Sequence, residues 1–301
     1  MKKILFTCVI IFIIAYSSFF PKVIISAAQK GIEIWFQQIL PTLLPFTIIS
    51  SILIKSNFLK SIKGNINLMA ILITLSCGFV FGFPIGAKLS ADFYKDNLLN
   101  EKQATLLAIT TNNFSPMYVC GFALSLLFPS KHYITITYFL LYLTPLVIAT
   151  YFIIRNKYTI VHKKTTSTFC LDMKVIDAGI INGFESLIKI CGYIVLFSIF
   201  TEIITKVISV LYIQHSPWIT IFLSNLEITN GIHLISTCNW NDSLKYALFI
   251  QAISFGGLSG IAQTSSILSP AGLSTYKYII GKALLSLLLT LLAFIYVFFS
   301  H

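Results

Sequence analysis

The stretch CGFVFGFPIGAKLSADF, residues 77–93, places Gly82, Pro84, Gly86 and Lys88 where an apolar run should continue. Residues 68–80, just before the interruption, have the composition of the first half of a membrane helix. Backbone N–H and C=O groups without partners are costly in lipid, so irregular backbone at membrane depth persists only inside protein or beside water. The stretch therefore predicts a break in a membrane-inserted segment that faces a polar interior.

The composition of the whole chain is typical of a membrane protein. Apolar residues make up 56% of the 301 residues and charged residues only 10%, whereas a soluble domain carries roughly 25% charged residues. Most of the runs without Asp, Glu, Lys or Arg reach the roughly 20 residues that cross a hydrocarbon core. These runs are residues 4–20, 34–54, 68–87, 103–130, 133–154, 207–226, 246–276 and 283–300. We therefore predict a polytopic integral membrane protein in a lipid bilayer.

The net charge of +11 fits a polytopic membrane protein and does not indicate a nucleic-acid partner. The lysines lie mainly in short loops between apolar runs, which is the positive-inside pattern. Lys2 and Lys3 place the N-terminus in the cytoplasm. Lys95 and Lys102 follow the segment 66–94, and a full crossing would put them on the outside. We therefore interpret residues 66–94 as a re-entrant hairpin.

The predicted segments occur in the same order twice, with opposite orientation. The first repeat is residues 1–154, with an uncleaved helix 1 (4–20), helix 2 (about 34–54), a hairpin (66–94), a broken helix (103–128) and a helix (133–154). A basic cytoplasmic loop, 155–177, leads to the second repeat, residues 178–301, with a helix (178–208), a hairpin (216–238), a broken helix (244–270) and a final helix (276–300). The predicted fold is an all-α polytopic membrane protein with two inverted repeats, about seven transmembrane helices, two re-entrant hairpins and two broken helices. Interrupted helices in matching positions are typical of secondary transporters.

The predicted substrate site lies at the four interruptions. A half-helix N-terminus offers free N–H groups and a partial positive charge to an anion, glycine lets the backbone approach a ligand, and Lys88 adds a full charge. Simple kinks, a lysine reaching the interface and asparagines that join helices are the alternatives. The candidate substrate-binding residues are Gly82, Pro84, Gly86, Lys88, Thr111, Asn112, Asn113, Ser115, Thr229, Asn230, Gly231, Gly256, Gly257, Ser259 and Gln263.

Glu227 is the candidate for the coupling ion, because a carboxylate at membrane depth is a functional-site hypothesis by default. It could carry a coupling proton, or it could pair with Lys88 and serve structure only. The sequence contains no metal-ligand cluster and no catalytic motif, so we expect no enzyme and no cofactor apart from a coupling Na⁺ or H⁺.

Three motifs together resemble a known family: GFPIGAKLSADFYKDNLLNEKQATLLAITTNNFSPMYVCG (82–121), LEITNGIHLI (226–235) and FGGLSGIAQTSSIL (255–268). They resemble the sporulation integral membrane proteins of the YlbJ type, within the nucleoside-recognition (Gate) domain group, which is similar to concentrative nucleoside transporters. The resemblance covers about residues 30–300.

The resemblance implies a membrane transporter of endospore formation that moves dipicolinic acid, a small dianion, across the outer forespore membrane by alternating access. A homo-oligomer is also compatible with nucleoside-transporter-like folds. Two alternatives stay open. A nucleoside carrier would need hydrogen-bonding side chains more than positive charge, and a non-transporting scaffold for cortex assembly would tolerate substitution of its polar breaks.

Overall fold

A computed structural model describes Thr7, Ile11 and residues 14–61, 65–128, 133–155, 169–210 and 217–300. Within these ranges the regular secondary structure is entirely helical, which confirms the predicted all-α class. Residues 4–6, 8–10, 12 and 13 of predicted helix 1 and residues 156–168 of the basic loop lie outside the described residues. Four helices in the described ranges are long and apolar enough to cross a membrane: Ile134–Arg155, Met173–Ser209, Asp242–Ala271 and Thr275–Phe299.

The helices of the first half are short and often interrupted. They are α1 (Pro21–Ile34), which continues through a π-turn at Trp35–Ile39 into α2 (Leu40–Lys55), α3 (Phe58–Ser61), α4 (Ile66–Phe81), α5 (Ile85–Lys95), α6 (Glu101–Thr111), α7 (Pro116–Tyr118), a π-turn at Val119–Ala123, α8 (Leu124–Leu127), α9 (Ile134–Tyr138), a π-turn at Phe139–Leu143, and α10 (Thr144–Arg155).

The second half contains the longest elements. They are α11 (Met173–Val210), α12 (Pro217–Leu226), α13 (Ile228–Thr237), α14 (Asp242–Phe255), α15 (Gly257–Leu268), a 3₁₀ turn at Ser269–Ala271 and α16 (Thr275–Ser300). Helix α11 packs along α1 and α2, and α14 packs along α16. Gly179 and Gly183 let α11 approach α2 closely, since a Cβ at these positions would lie 2.4 Å and 2.8 Å from Ile52 and Ile48. Small residues allow such close helix packing in membranes.

Polar side chains cap the N-termini of several helices within the apolar sequence. Asn65 caps α4, Asn100 and Gln103 form a capping box on α6, Ser115 caps α7 and Asn241 caps α14. Each cap satisfies backbone N–H groups that have no partner within the helix. The helix starts are therefore encoded locally.

Gln103 also joins two helices, and its loss tests that link. Its side chain accepts from the Asn100 N–H at 3.1 Å and exchanges two hydrogen bonds with the amide of Asn67, at 3.0 Å and 3.2 Å. We expect Gln103→Ala to destabilise the protein by about 2 kcal/mol, because it removes a cap and leaves buried amide groups unpaired. The check is the thermal unfolding midpoint, with the exposed neighbour change Lys102→Ala as the control that leaves it unchanged. An unaltered midpoint for Gln103→Ala would contradict this role.

Candidate functional site

Four breaks interrupt the helices, three at the predicted places and one two residues before its predicted place. The first is the turn Gly82–Pro84, with Gly82 at φ +70° and a cis peptide bond between Phe83 and Pro84. The second is Asn112–Ser115, the third is the extended residue Glu227, and the fourth is Gly256 at φ +86°. The turn between α12 and α13 falls at Glu227, so Thr229, Asn230 and Gly231 lie in the first turn of α13 and not in the turn itself. Glu227 extends the chain there because its carboxylate caps the helix that follows.

The first hairpin, α4 and α5, docks on the break that follows α6. A Cβ on Gly86 would lie 2.4 Å from Thr111 Oγ1, and one on Gly78 would lie 2.6 Å from Thr111 Cβ. At the tip, a Cβ on Gly82 would lie 2.4 Å from the Ser115 nitrogen, and the Phe83 N–H donates to the Asn113 carbonyl at 2.6 Å. The glycines therefore serve close packing of hairpin on broken helix.

The two asparagines of the second break bind other helices. Asn112 Nδ2 donates to Thr264 Oγ1 on α15 and to the Tyr278 hydroxyl on α16, both at 3.0 Å. Asn113 Nδ2 donates to the Thr110 and Leu141 carbonyls, and its Oδ1 accepts from Lys282 Nζ at 2.6 Å. Both asparagines are buried, so they hold the break in place from inside the protein.

The second hairpin, α12 and α13, is closed by Glu227 and Gly231. The Glu227 oxygens accept from the Thr229 and Asn230 N–H groups at 3.1 Å and 2.8 Å. A Cβ on Gly231 would lie 2.5 Å from Ser224 Cα, so glycine lets the two arms meet. No ion pair joins Lys88 and Glu227, both of which the structure describes, so the alternative in which they pair is not observed.

A cavity of about 40 Å³, here called the central cavity, lies where hairpin tips and broken helices converge. Five predicted site residues line it: Glu227, Thr229, Gly256, Ser259 and Gln263. Phe83 and Phe114, whose ring centroids are 5.9 Å apart, close part of its wall. Ligand pockets typically measure 300–1,000 Å³, so this cavity is too small for an aromatic dicarboxylate in this conformation. The conformation is constricted at its centre.

A second cavity of about 230 Å³ opens beside the tip of the first hairpin. We call it the lysine vestibule, because Lys88, Lys95 and Lys189 line it against a single aspartate, Asp92. Lys88 Nζ donates to Ser51 Oγ at 2.8 Å and to Ser186 Oγ at 3.4 Å. The lysine vestibule shares Ile190 and Gln263 with the central cavity, and its excess positive charge favours anions.

A third cavity of about 240 Å³ lies beside the second hairpin. We call it the histidine vestibule; its polar lining includes Lys30, Ser198, Glu202, Asn230 and His233. Asn230 directly follows Thr229 of the central cavity. The lining here contains one lysine, Lys30, and one carboxylate, Glu202, whereas lysines outnumber the single aspartate in the lysine vestibule.

One stripe of α11 passes all three cavities. Ser186 and Lys189 line the lysine vestibule, Ile190 and Ile194 the central cavity, and the histidine vestibule is lined by Ser198, Thr201, Glu202 and Thr205. At 1.5 Å per residue, residues 186–205 span roughly 28 Å, which is close to the thickness of a hydrocarbon core. The three cavities therefore follow one another along a length comparable to a membrane.

The predicted site residues thus divide into cavity-lining and packing groups. Those that line one of the cavities are Pro84, Lys88, Glu227, Thr229, Asn230, Gly256, Ser259 and Gln263. Those that pack or bind between elements are Gly82, Gly86, Thr111, Asn112, Asn113, Ser115, Gly231 and Gly257. The packing residues position the cavity-lining residues, because the helix breaks could not come together without these packing contacts.

Sequence reasoning missed three features of the site. Phe83 and Phe114 were missed because they are apolar, and the polar stripe of α11 was missed because it lies within a long apolar run. Lys282 was missed although it stands inside the last predicted span, which was the available signal. Among the described residues, two buried acceptors, Asn112 Oδ1 and Gln263 Oε1, have no hydrogen-bond partner.

No protein-family model and no solved structure matches the chain. The chain is 24% identical over 306 residues to the sporulation integral membrane protein YlbJ of Bacillus subtilis (strain 168), a similarity that covers 88% of this chain and 75% of that protein. Together with its apolar helices, this likeness identifies the chain as an integral membrane protein. The comparison also confirms the resemblance drawn from the three motifs, to the YlbJ type of sporulation integral membrane protein.

Proposed function

We propose that the protein is a membrane transporter that acts in endospore formation and moves dipicolinic acid by alternating access. The observation that carries this proposal is the row of three cavities along one stripe of α11, constricted at the helix breaks. Such a row with a closed centre is what alternating access requires, since the site opens to each side in turn. The name of the bacterial relative supports a membrane role in sporulation.

The charge of the lysine vestibule supports a small anion as substrate. Lys88 lies one turn into α5, just after the first break, and its ammonium is held by two serine hydroxyls and not by a carboxylate. It can therefore exchange these neutral partners for a carboxylate of the substrate. Hydrogen bonds between ionised partners are about twice as strong as neutral ones, so this exchange favours binding of a dianion.

The finer topology belongs to the same proposal. We propose two inverted repeats, residues 1–154 and 178–301 with the basic loop 155–177 between them, about seven spanning helices and a cytoplasmic N-terminus. In this arrangement the lysine vestibule opens to the cytoplasm, on the side of Lys95, and the histidine vestibule opens to the other side. During sporulation the membrane would be the outer forespore membrane.

We propose that Glu227 binds the coupling ion and that this ion is a proton. The carboxylate is buried, lines the central cavity and lies next to Thr229, whose hydroxyl is 3.1 Å from the Tyr118 hydroxyl. A hydrogen bond to Thr229 thus links the second hairpin to α7 of the first half. A change in the charge of Glu227 would therefore alter contacts in both halves of the protein.

The test is uptake of labelled dipicolinate into proteoliposomes that contain the purified protein. We expect saturable flux that excess uridine does not reduce. Saturable uptake of uridine instead would favour the nucleoside carrier, and absence of flux for both solutes with folded protein would favour the scaffold. The polar lining of Ser259 and Gln263 is the observation that keeps the nucleoside carrier as the second candidate.

Lys88→Ala tests the anion site directly. We expect the KM for dipicolinate to rise by about 10-fold or more, because a charge-assisted hydrogen bond contributes about 1.5–3 kcal/mol and 1.4 kcal/mol is tenfold. The matched control is Lys277→Ala, which removes an exposed lysine that pairs with Glu101 at 2.6 Å and lines none of the three cavities. Equal KM values for both variants would contradict the anion role of Lys88.

A further inference from the structure

Lys282 is a buried lysine that the proposed mechanism has not used. It lies in the apolar helix α16, and only 1% of its surface is exposed. Its Nζ donates to Asn113 Oδ1 at 2.6 Å. In the described part of the chain no carboxylate forms an ion pair with it, whereas Lys277, five residues earlier on α16, pairs with Glu101. The ammonium therefore depends on neutral partners inside the protein.

Lys282 lies within α16, and its side chain reaches the break that follows the half-helix α6. Asn113 lies two residues beyond the end of α6 at Thr111, and the carboxyl end of a helix carries a partial negative charge that favours cations. Gly281 holds α16 against α6 at this level, since a Cβ on Gly281 would lie 2.3 Å from Ile109 Cδ1. The Ile109 side chain packs on Gly281, and the next residue, Lys282, binds Asn113 in the break.

A charge of this kind is costly to bury. An ionisable residue within a transmembrane segment is rare, and it marks a functional element by default. In transporters, unwound backbone and the carboxyl ends of half-helices are where a coupling cation is held. Lys282 places a covalently attached cation at such an end.

We propose that the Lys282 ammonium occupies the monovalent-cation position of the broken helix α6–α7, so that the protein binds no Na⁺ or K⁺ there. The ammonium binds Asn113 in place of a free ion and stabilises the break permanently. The inference rests on the proposed function only in treating the break as part of a transport pathway. It deepens that function, because it excludes Na⁺ coupling at this break and so favours the proton proposed at Glu227 as the coupling ion.

The test is the thermal unfolding midpoint of the purified full chain, measured without any substrate. The wild type, Lys282→Ala and the control Lys277→Ala are compared in NaCl, KCl and N-methylglucamine chloride at equal ionic strength. We expect the wild type and Lys277→Ala to be indifferent to the cation. For Lys282→Ala we expect a saturable rise of about 2–5 °C with Na⁺ or K⁺ over N-methylglucamine, because the small ion binds the vacated position of the folded state.

Two results would overturn the proposal. One is a folded Lys282→Ala variant whose midpoint does not depend on the cation, which would assign Lys282 a purely structural role. The other is a wild type that Na⁺ or K⁺ already stabilises in a saturable manner. If Lys282→Ala does not fold, the wild-type measurement decides alone. Because no substrate is present, the outcome is independent of whether dipicolinate is transported.

Discussion

Replacing Gly86 with alanine is expected to destabilise the protein by about 3 kcal/mol and to abolish dipicolinate flux. The added Cβ would lie 2.4 Å from Thr111 Oγ1 and 2.7 Å from the carbonyl carbon and oxygen of Thr111. Backbone atoms cannot rotate away as the end of a flexible side chain can, so α5 must move. Overpacking of a tight contact typically costs 1–3 kcal/mol, and here the shift also separates the hairpin from the break at Asn112–Ser115.

The measurements for Gly86→Ala are the thermal unfolding midpoint and flux in proteoliposomes. Gly192→Ala is the matched control, because Gly192 lies within α11 and a Cβ there would meet nothing within 4 Å. Alanine favours a helix over glycine by up to about 1 kcal/mol, so this control should keep or slightly raise the midpoint. Equal midpoints and equal flux for the two variants would contradict the docking described for the first hairpin.

Replacing Glu227 with alanine is expected to destabilise the second hairpin by about 2 kcal/mol. The change removes both oxygens that accept from the Thr229 and Asn230 N–H groups, and lost helix caps cost about 0.5–2 kcal/mol. Glu227→Gln keeps one oxygen as an acceptor, so its midpoint should lie between those of the wild type and Glu227→Ala.

The same pair of variants separates the cap from the coupling role. We expect Glu227→Gln to fold and to retain passive dipicolinate exchange, while an imposed proton gradient no longer accelerates its uptake. The gradient must accelerate wild-type uptake in the same preparation. A Glu227→Gln variant that still responds to the gradient would show that the carboxylate is only a helix cap.

The positions of three of the four breaks could be predicted from the sequence, because Gly, Pro and polar residues interrupt runs that are otherwise uniformly apolar. Gly82 and Gly256 both adopt positive φ values at such interruptions. The tip of the second hairpin was placed two residues too late, since the sequence does not show that the Glu227 side chain would cap α13. The repeat organisation and the helix count stay predictions.

The sequence alone does not show which of the predicted residues line a cavity and which pack against each other, because this depends on tertiary packing. Gly86 and Thr111 were expected to face a ligand, but they face each other, and only tertiary packing distinguishes these cases. Phe83 and Phe114 resemble lipid-facing residues until the fold brings them to the central cavity. Burial of Lys282 depends on the contact between Gly281 and Ile109. These residues are far apart in the chain, so no local sequence pattern predicts their contact.

The central claim is that one stripe of α11 lines a pathway closed at the helix breaks, and cysteine accessibility tests it most directly. Single cysteines would replace Ser186 of the lysine vestibule, Ser198 of the histidine vestibule and Ile188, in a background without the six native cysteines. Ile188 is the control, because it is exposed on the opposite face of α11 and faces lipid in our account. The cysteines are labelled with a membrane-impermeant thiol reagent from either side of sealed vesicles.

We predict that the cysteine at 186 reacts from one side only, the cysteine at 198 from the other side only, and the cysteine at 188 from neither. Dipicolinate should change the two reactive rates in opposite directions, as alternating access requires. Reaction of positions 186 and 198 from the same side, or labelling of position 188 as fast as theirs, would contradict the pathway.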